Sequence, residues 1–284
     1  MKTKRNIFDK LNTLLFGKDL RVTTGEPYTE MREGDYSSYY PLEKYIDFTQ
    51  QAPDNCYDIR DYGADINATD EANAKAIQQA IDKCHKDGGG TVLISGGMYI
   101  TTTIFLRSNV TLFIDKDSSL SANTSGKGYK HNALIYAFDC DNISITGGGK
   151  LIGNGTLFGL KPVSENIFTP SPVIDVIKMR QDYRAQIRFA HKSKYGSILL
   201  TEKCRNIKIH NIIFEDSPWW TYKMLVCDSV KITDTVIWNN RNVANSDGFD
   251  IAGSCNVEID HCFVSTADDG IVLKNNMSIA TSGD

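Results

Sequence analysis

Cys204-Arg205-Asn206-Ile207-Lys208-Ile209 is one of four like stretches in the chain, and comparing them decides the fold. Cys140-Asp141-Asn142-Ile143-Ser144-Ile145 precedes it, and Cys227-Asp228-Ser229-Val230-Lys231-Ile232 and Ser254-Cys255-Asn256-Val257-Glu258-Ile259 follow. In each, an Asn or Ser at a corner opens a run in which apolar and polar residues alternate, the period-2 mark of a strand with one buried face. The equivalent positions 206, 229 and 256 lie 23 and 27 residues apart. One such unit cannot bury its own apolar face, so neighbours must stack. Leucine-rich repeats share this period, but the Leu-x-x-Leu-x-Leu signature and a helix in every repeat are absent. The pattern predicts an all-β chain, a right-handed, single-stranded parallel β-helix.

Upstream the same character continues in short strands: Thr91-Val92-Leu93-Ile94, Met98-Tyr99-Ile100, Ile104-Phe105-Leu106 and Val110-Thr111-Leu112-Phe113-Ile114. Before them comes a different pattern. Thr69 offers an N-cap, and Asp70 and Glu71 lie in the first turn, where a helix dipole favours anions. Ala74, Ile77, Ile81 and Cys84 follow at helical spacing, and Gly88-Gly89-Gly90 ends the run. The spacing predicts one amphipathic helix over 70–86, capping the N-terminal end of the stack. Tyr57 to Ala64 reads as a strand and turn. Residues 1–54 show no period and are assigned to an N-terminal extension, and 55–284 to the β-helix. The stretch from about 155 to 195, with Pro162, Pro170, Pro172, Arg180 and Arg184, breaks the period and reads as an excursion of the kind that lines a binding cleft. Residues 270–284 open another rung without a cap. The expectation is a fragment whose C-terminal rungs are missing, prone to self-association through the uncovered layer.

Composition limits the function classes. Of 284 residues, 41% are hydrophobic and 23% charged, which excludes a disordered chain or a collagen-like fibre. Lys plus Arg number 31 against 35 Asp plus Glu, a net charge of -4, so no basic excess points to nucleic acid. No apolar run approaches the roughly 20 residues needed to cross a membrane as a helix. The start is basic over Met1 to Arg5, but its apolar patch, Leu14-Leu15-Phe16, is crowded by Lys10, Lys18 and Asp19 and does not read as a signal peptide. The expected location is therefore the cytoplasm. Seven cysteines are an odd number and form no CxxC pair, which fits small apolar residues in a reducing compartment. The five histidines show no metal-ligand spacing, and the sequence calls for no metal or cofactor.

Stacking converts sequence spacing into geometry. Aligning Asp247-Gly248-Phe249-Asp250-Ile251 with Asp269-Gly270-Ile271-Val272-Leu273 gives an offset of 22, about one rung. Rungs are about 4.8 Å apart, so Asp247 and Asp269 are expected one above the other, with Asp268 over Ser246. Successive strand residues face opposite ways, so Asp268 and Asp269 share one cleft only if a bend intervenes, which Gly270 permits. Three carboxylates in one patch raise at least one pKa, as a general acid working near neutrality needs. A shift of 27 places Trp220 beneath Asp247, as a platform for a sugar ring, and Lys223 beneath Asp250. That last pair reads as an ordinary ion pair. The blander alternatives are that the aspartates cap rung corners and that Trp220 serves packing.

Asn245-Ser246-Asp247-Gly248-Phe249-Asp250, followed by Asp268-Asp269-Gly270-Ile271 and Lys274, resembles the polygalacturonase family, glycoside hydrolase family 28. Ser217-Pro218-Trp219-Trp220-Thr221 resembles that family's Ser-Pro-aromatic-Trp stretch. Asp61-Tyr62-Gly63-Ala64 through Gly88-Gly89-Gly90-Thr91-Val92 resembles the opening of pectin-lyase-like β-helices generally. The resemblance covers roughly 55–284. It implies inverting hydrolysis of pectic polysaccharide, with Asp268 as general acid and Asp247 and Asp269 activating water. Asn245 and Lys274 match positions lining the cleft. Ala267 stands where the family usually has Gly. The family's Gly-His-Gly and Arg-Ile-Lys motifs do not occur in the chain, which implies a fragment impaired in catalysis. Two other functions fit parts of the pattern: a non-catalytic carbohydrate-binding β-helix of tailspike type, and a pectate lyase, for which no calcium-binding cluster is evident.

Overall fold

The computed structural model describes residues 42–157, 161–162, 189–190, 196–240, 243 and 245–275, giving only the backbone for 161–162 and 189–190. Its organising feature is the corner asparagine. Asn109, Asn142, Asn206, Ser229 and Asn256 all have positive φ, between 52 and 65°. Asn accepts the left-handed region more readily than most residues because its short polar side chain bonds locally. Here the bonds run between rungs: the Asn142 amide donates to Asn109 Oδ1 at 2.9 Å and Asn206 to Asn142 Oδ1 at 2.5 Å. The ladder fixes one register. Arg205 pairs with Asp141 on one side and Asp228 on the other, and Asp228 pairs with Cys255, all in parallel, matching the alignment of the four sequence stretches.

The strands form two large parallel sheets that share one interior. One, of eleven strands, contains the long strands Arg205–Glu215 and Asp228–Trp238. These bend at Asn211 and Asp234, both with positive φ, so each serves two faces of the coil. The other has six strands: β1 (Ile104–Phe105), β2 (Ala133–Phe138), β3 (Ser197–Glu202), β4 (Tyr222–Leu225), β5 (Phe249–Ala252) and β6 (Ile271–Lys274). Connections between parallel neighbours in one sheet are right-handed almost without exception, and the chain is a right-handed parallel β-helix. Inward residues stack in columns: Leu199, Tyr222 and Phe249 are in register and 0% exposed, with Tyr222 and Phe249 edge to face. Burying side chains of this size stabilises by about 1.5–3 kcal/mol each. Cys140, Cys204 and Cys227 are buried as free thiols in the same interior.

The one α-helix among the described residues, α1 (Asp70–Lys86), closes one end as the sequence predicts. Thr69 accepts from the Ala72 amide at 3.2 Å, and Ala76, Ile77, Ala80, Ile81 and Cys84 are buried against the first rungs. Two amide side chains on this helix finish the open edge. Gln78 both donates to the Phe105 carbonyl and accepts from its N–H, and the fully buried Asn73 donates to the Ile100 carbonyl. An unpaired strand edge is thereby satisfied without another strand.

Residues 42–50 lie on the flank of the coil. Ile46 is buried with Ile213 and Val236, and the buried Asn211 amide exchanges hydrogen bonds with the Asp47 backbone. The sequence reading places these residues in the extension; residues 1–41 of that extension lie outside the described ones. Of the excursion expected over about 155–195, the described parts are a 3-10 turn at Gly155–Leu157 and an antiparallel pair, Lys161–Pro162 with Phe189–Ala190. At the other end, Ile271 and Leu273 on β6 are 54% and 79% exposed.

Candidate active site

The site forms where the chain turns into β4, β5 and β6. Tyr222 pairs with Phe249 and Phe249 with Ile271, so Lys223, Asp250 and Val272 occupy one outward column. Ladder bonding continues into the preceding turns: Thr221 N donates to Asp247 O at 2.9 Å, and Gly248 N to Asp269 O at 2.8 Å. The offsets of 22 and 27 read from sequence are therefore those of the structure. Asp268 and Asp269 lie in a bend between the strand Phe263–Ser265 and β6, so strict strand alternation does not separate them. Ala267 N donates to Ser246 Oγ at 3.3 Å, which sets this bend over the Asn245-Ser246-Asp247 turn.

Two details hold the turns at this spacing. A Cβ on Gly248 would lie 2.2 Å from the Gly270 carbonyl oxygen, so only glycine lets these two rungs approach. The buried Asn239 side chain accepts from Ser217 N and donates to Thr221 Oγ1 and Ser246 O, linking three turns through one amide. Sequence reasoning did not identify Asn239, whose position in the repeat carries no signal of this role.

Asp247 is 3% exposed and Asp250 0%, whereas Asp268 and Asp269 are exposed. Lys274 Nζ lies 3.2 Å from Asp247 Oδ2 and also pairs with Asp250 Oδ1. It sits 3.5 Å from the Trp220 ring centroid, and Lys223 Nζ is 5.0 Å from the same ring. Burial raises the Asp247 carboxyl above the ordinary carboxylate range, Lys274 opposes the shift, and the charges of Asp268 and Asp269 add to it. Burial also pushes Asp250 up to about 7, helped by the charge on Asp247. For Lys274, burial alone would favour loss of the proton, but its bonds to Asp250 and Asp247 raise its pKa overall.

One expectation is corrected here. Asp250 takes Lys274 as its ion-pair partner, and not Lys223, although Lys223 is its register neighbour. The cause is reach: Lys274 stands diagonally across from Asp250 on β6, and its long side chain turns back over Trp220. Trp220 and Lys274, proposed from sequence as separate contacts, thus form one unit. Asn245 opens the Asp247 turn in the left-handed region, with φ 58°. Among the described residues, no group of three or more His, Cys, Asp or Glu is arranged to hold a metal ion, and no helix is long and apolar enough to cross a membrane.

A cavity of about 320 Å³ lies on the other sheet, lined by residues that include Gln50, Lys208, His210 and Lys231. It contains none of the aspartates. Its Lys231 and His210 are already paired with Glu258 and Asp234.

Residues 90–283 match the family model described as glycosyl hydrolases family 28. The chain belongs to this family. As a family 28 member, it is 24% identical over 229 residues to an endo-polygalacturonase of Pectobacterium carotovorum subsp. carotovorum, covering 74% of this chain and 53% of that protein. It is 25% identical over 236 residues to an exopolygalacturonase of Zea mays, covering 81% and 52%. The solved structure of a hyperthermoactive exopolygalacturonase from Thermotoga maritima superposes with a TM-score of 0.60 at 25% identity, over 82% of this chain and 57% of that one. The chain spans about half the length of the curated relatives it matches.

Proposed function

We propose that this family 28 chain belongs to a glycosidase that hydrolyses pectic polysaccharide with inversion at the anomeric carbon. Asp268 is assigned as the general acid that protonates the leaving oxygen, and Asp247 and Asp269 as the carboxylates that activate water. Asn245, Trp220 and Lys274 are assigned to the sugar. The observation that carries the reading is the split environment of the aspartates: a buried Asp247 held by an ammonium, facing the charges of two exposed aspartates on the next rung.

The chemistry follows from that split. An inverting reaction needs one carboxyl to give a proton while another deprotonates water on the opposite side of the bond. Lys274 stabilises the ionised form of Asp247, which suits a base. The ring of Trp220 supplies an apolar face for a sugar, and the ammonium groups beside it suit a substrate that carries carboxylates.

The test is hydrolysis of oligogalacturonide by the complete natural protein, with the first-formed product followed by NMR. An inverted anomer supports the assignment. A retained anomer would overturn the mechanism, and binding without turnover would favour the non-catalytic β-helix.

A further inference from the structure

Asp247 Oδ1 and Asp250 Oδ2 are both buried, and neither has a hydrogen-bond partner among the described residues. A buried carboxylate oxygen without a donor is costly, because nothing replaces the water it gave up. The remaining two oxygens of the pair, Asp247 Oδ2 and Asp250 Oδ1, share one donor, Lys274 Nζ.

The charges around the pair do not balance. Two carboxylates face a single ammonium that touches both. Lys223 is in register with Asp250, but its ammonium sits by Trp220 and burial lowers its own pKa. Asp268 and Asp269 add negative charge from the neighbouring rung. With Asp247 and Asp250 both ionised, the buried pair has one contacting ammonium for two charges, Lys223 opposing only from a distance, and one proton relieves the excess.

We infer that Asp250 holds this proton at Oδ2 near neutral pH and acts as a positioning residue: its Oδ1 accepts from Lys274 while the lysine's charge is left to an ionised Asp247. Burial and the charge on Asp247 push the Asp250 carboxyl in the same direction, up to about 7. Once Asp250 ionises, it competes for Lys274 and adds a negative charge facing the sugar. Affinity for an acidic substrate then falls. The consequence for substrate rests on the proposed hydrolysis; the location of the proton does not.

Difference infrared spectroscopy of the full chain reads the proton directly, through the carbonyl stretch of a protonated side-chain carboxyl between about pH 5 and about pH 9. The expected result is one carboxyl titrating near about 7. That signal is lost in Asp250→Asn and kept in Asp216→Asn, which removes an aspartate outside the pair that burial also shifts upward. No carboxyl titrating above about pH 6, or a signal that follows Asp216, overturns the inference. Should Asp250→Asn not fold, Lys274→Met provides the second reading: removing the ammonium should raise the midpoint by about one unit or more, and an unmoved midpoint counts against Asp250.

With oligogalacturonide, wild-type KM should rise severalfold between about pH 6 and about pH 8, and Asp250→Asn should flatten that rise. An equal rise of KM in the variant refutes the positioning role. Absence of hydrolysis altogether would defeat the proposed function and leave the infrared result to decide this one.

Discussion

Gly248 and Gly270 occupy equivalent positions on adjacent rungs, yet an added methyl should have opposite effects at the two sites. At Gly248 the new Cβ would sit 2.2 Å from the Gly270 carbonyl oxygen and 2.8 Å from Val264 Cγ1. Ordinary contact begins near 3.4 Å, so the rungs must separate by about 1 Å against a spacing of about 4.8 Å. That separation strains the two bonds spanning them, Gly248 N to Asp269 O at 2.8 Å and Phe249 N to Gly270 O at 3.0 Å. At about 0.5–1.5 kcal/mol net for each bond, Gly248→Ala should cost about 1–3 kcal/mol. At Gly270 the nearest atom to an added Cβ is Val264 Cγ1 at 3.7 Å, an ordinary contact, and its φ is not positive. Gly270→Ala should be neutral or should stabilise by up to about 1 kcal/mol, by restricting the unfolded chain. Thermal unfolding followed by circular dichroism measures both, and for a chain of this size the Gly248 variant should melt roughly 2–12 °C lower. Equal melting temperatures for the two variants, or a lower one for Gly270→Ala, would refute the rung-contact reasoning.

In the complete natural protein, Asp268→Asn should reduce kcat for oligogalacturonide by about 10²–10⁴ with KM nearly unchanged, as loss of a general acid requires; activity within about tenfold of wild type would remove Asp268 from that role. Asp247→Asn and Asp269→Asn should also be severe, and their combination should cost less than the sum if both act on one water; additive losses would separate them. Asp250 gives a pH dependence of stability: its folded pKa, about 7, exceeds the ordinary 3.8, so its contribution is complete below about pH 4 and is lost as pH rises through about 7. Melting temperatures measured across that window should fall more steeply for wild type than for Asp250→Asn, and parallel curves would contradict the shift. Leu273, 79% exposed on β6, should promote self-association, and Leu273→Glu should shift light-scattering mass toward the monomer; an unchanged mass distribution would contradict this.

The fold was legible because a coiled chain repeats its constraints. Each turn needs a residue that tolerates positive φ at the same corner, and Asn142, Asn206, Ser229 and Asn256 mark that corner in the sequence. From those marks the register followed to the residue, including Asp247 beside Asp269 and Trp220 and Lys223 one rung away. Contacts made by long side chains across the period were not legible. Lys274 reaches diagonally to Asp250, Asn239 joins three turns, and Asn73 and Gln78 close a strand edge from a helix. None of these is periodic, so alignment of repeats gives no sign of them. Residues 42–50 were missed for the same reason: the bond between Asn211 and Asp47 spans 164 positions and depends on one amide meeting a passing backbone.

The amide seal on α1 closes one edge of the coil. On that side the edge bonds of Ile100 and Phe105 are occupied by side chains, so opening there requires displacing the whole helix. On the side of β6, among the described residues, Leu273 and Ile271 stand largely in solvent. Because each turn of a solenoid is held mainly by its neighbours, the rung of β6 supports Asp268 and Asp269 directly and Asp247 through the turn beneath. The carboxylates assigned to the reaction are therefore held through their neighbouring rungs, and whatever packs on β6 governs how firmly they are held.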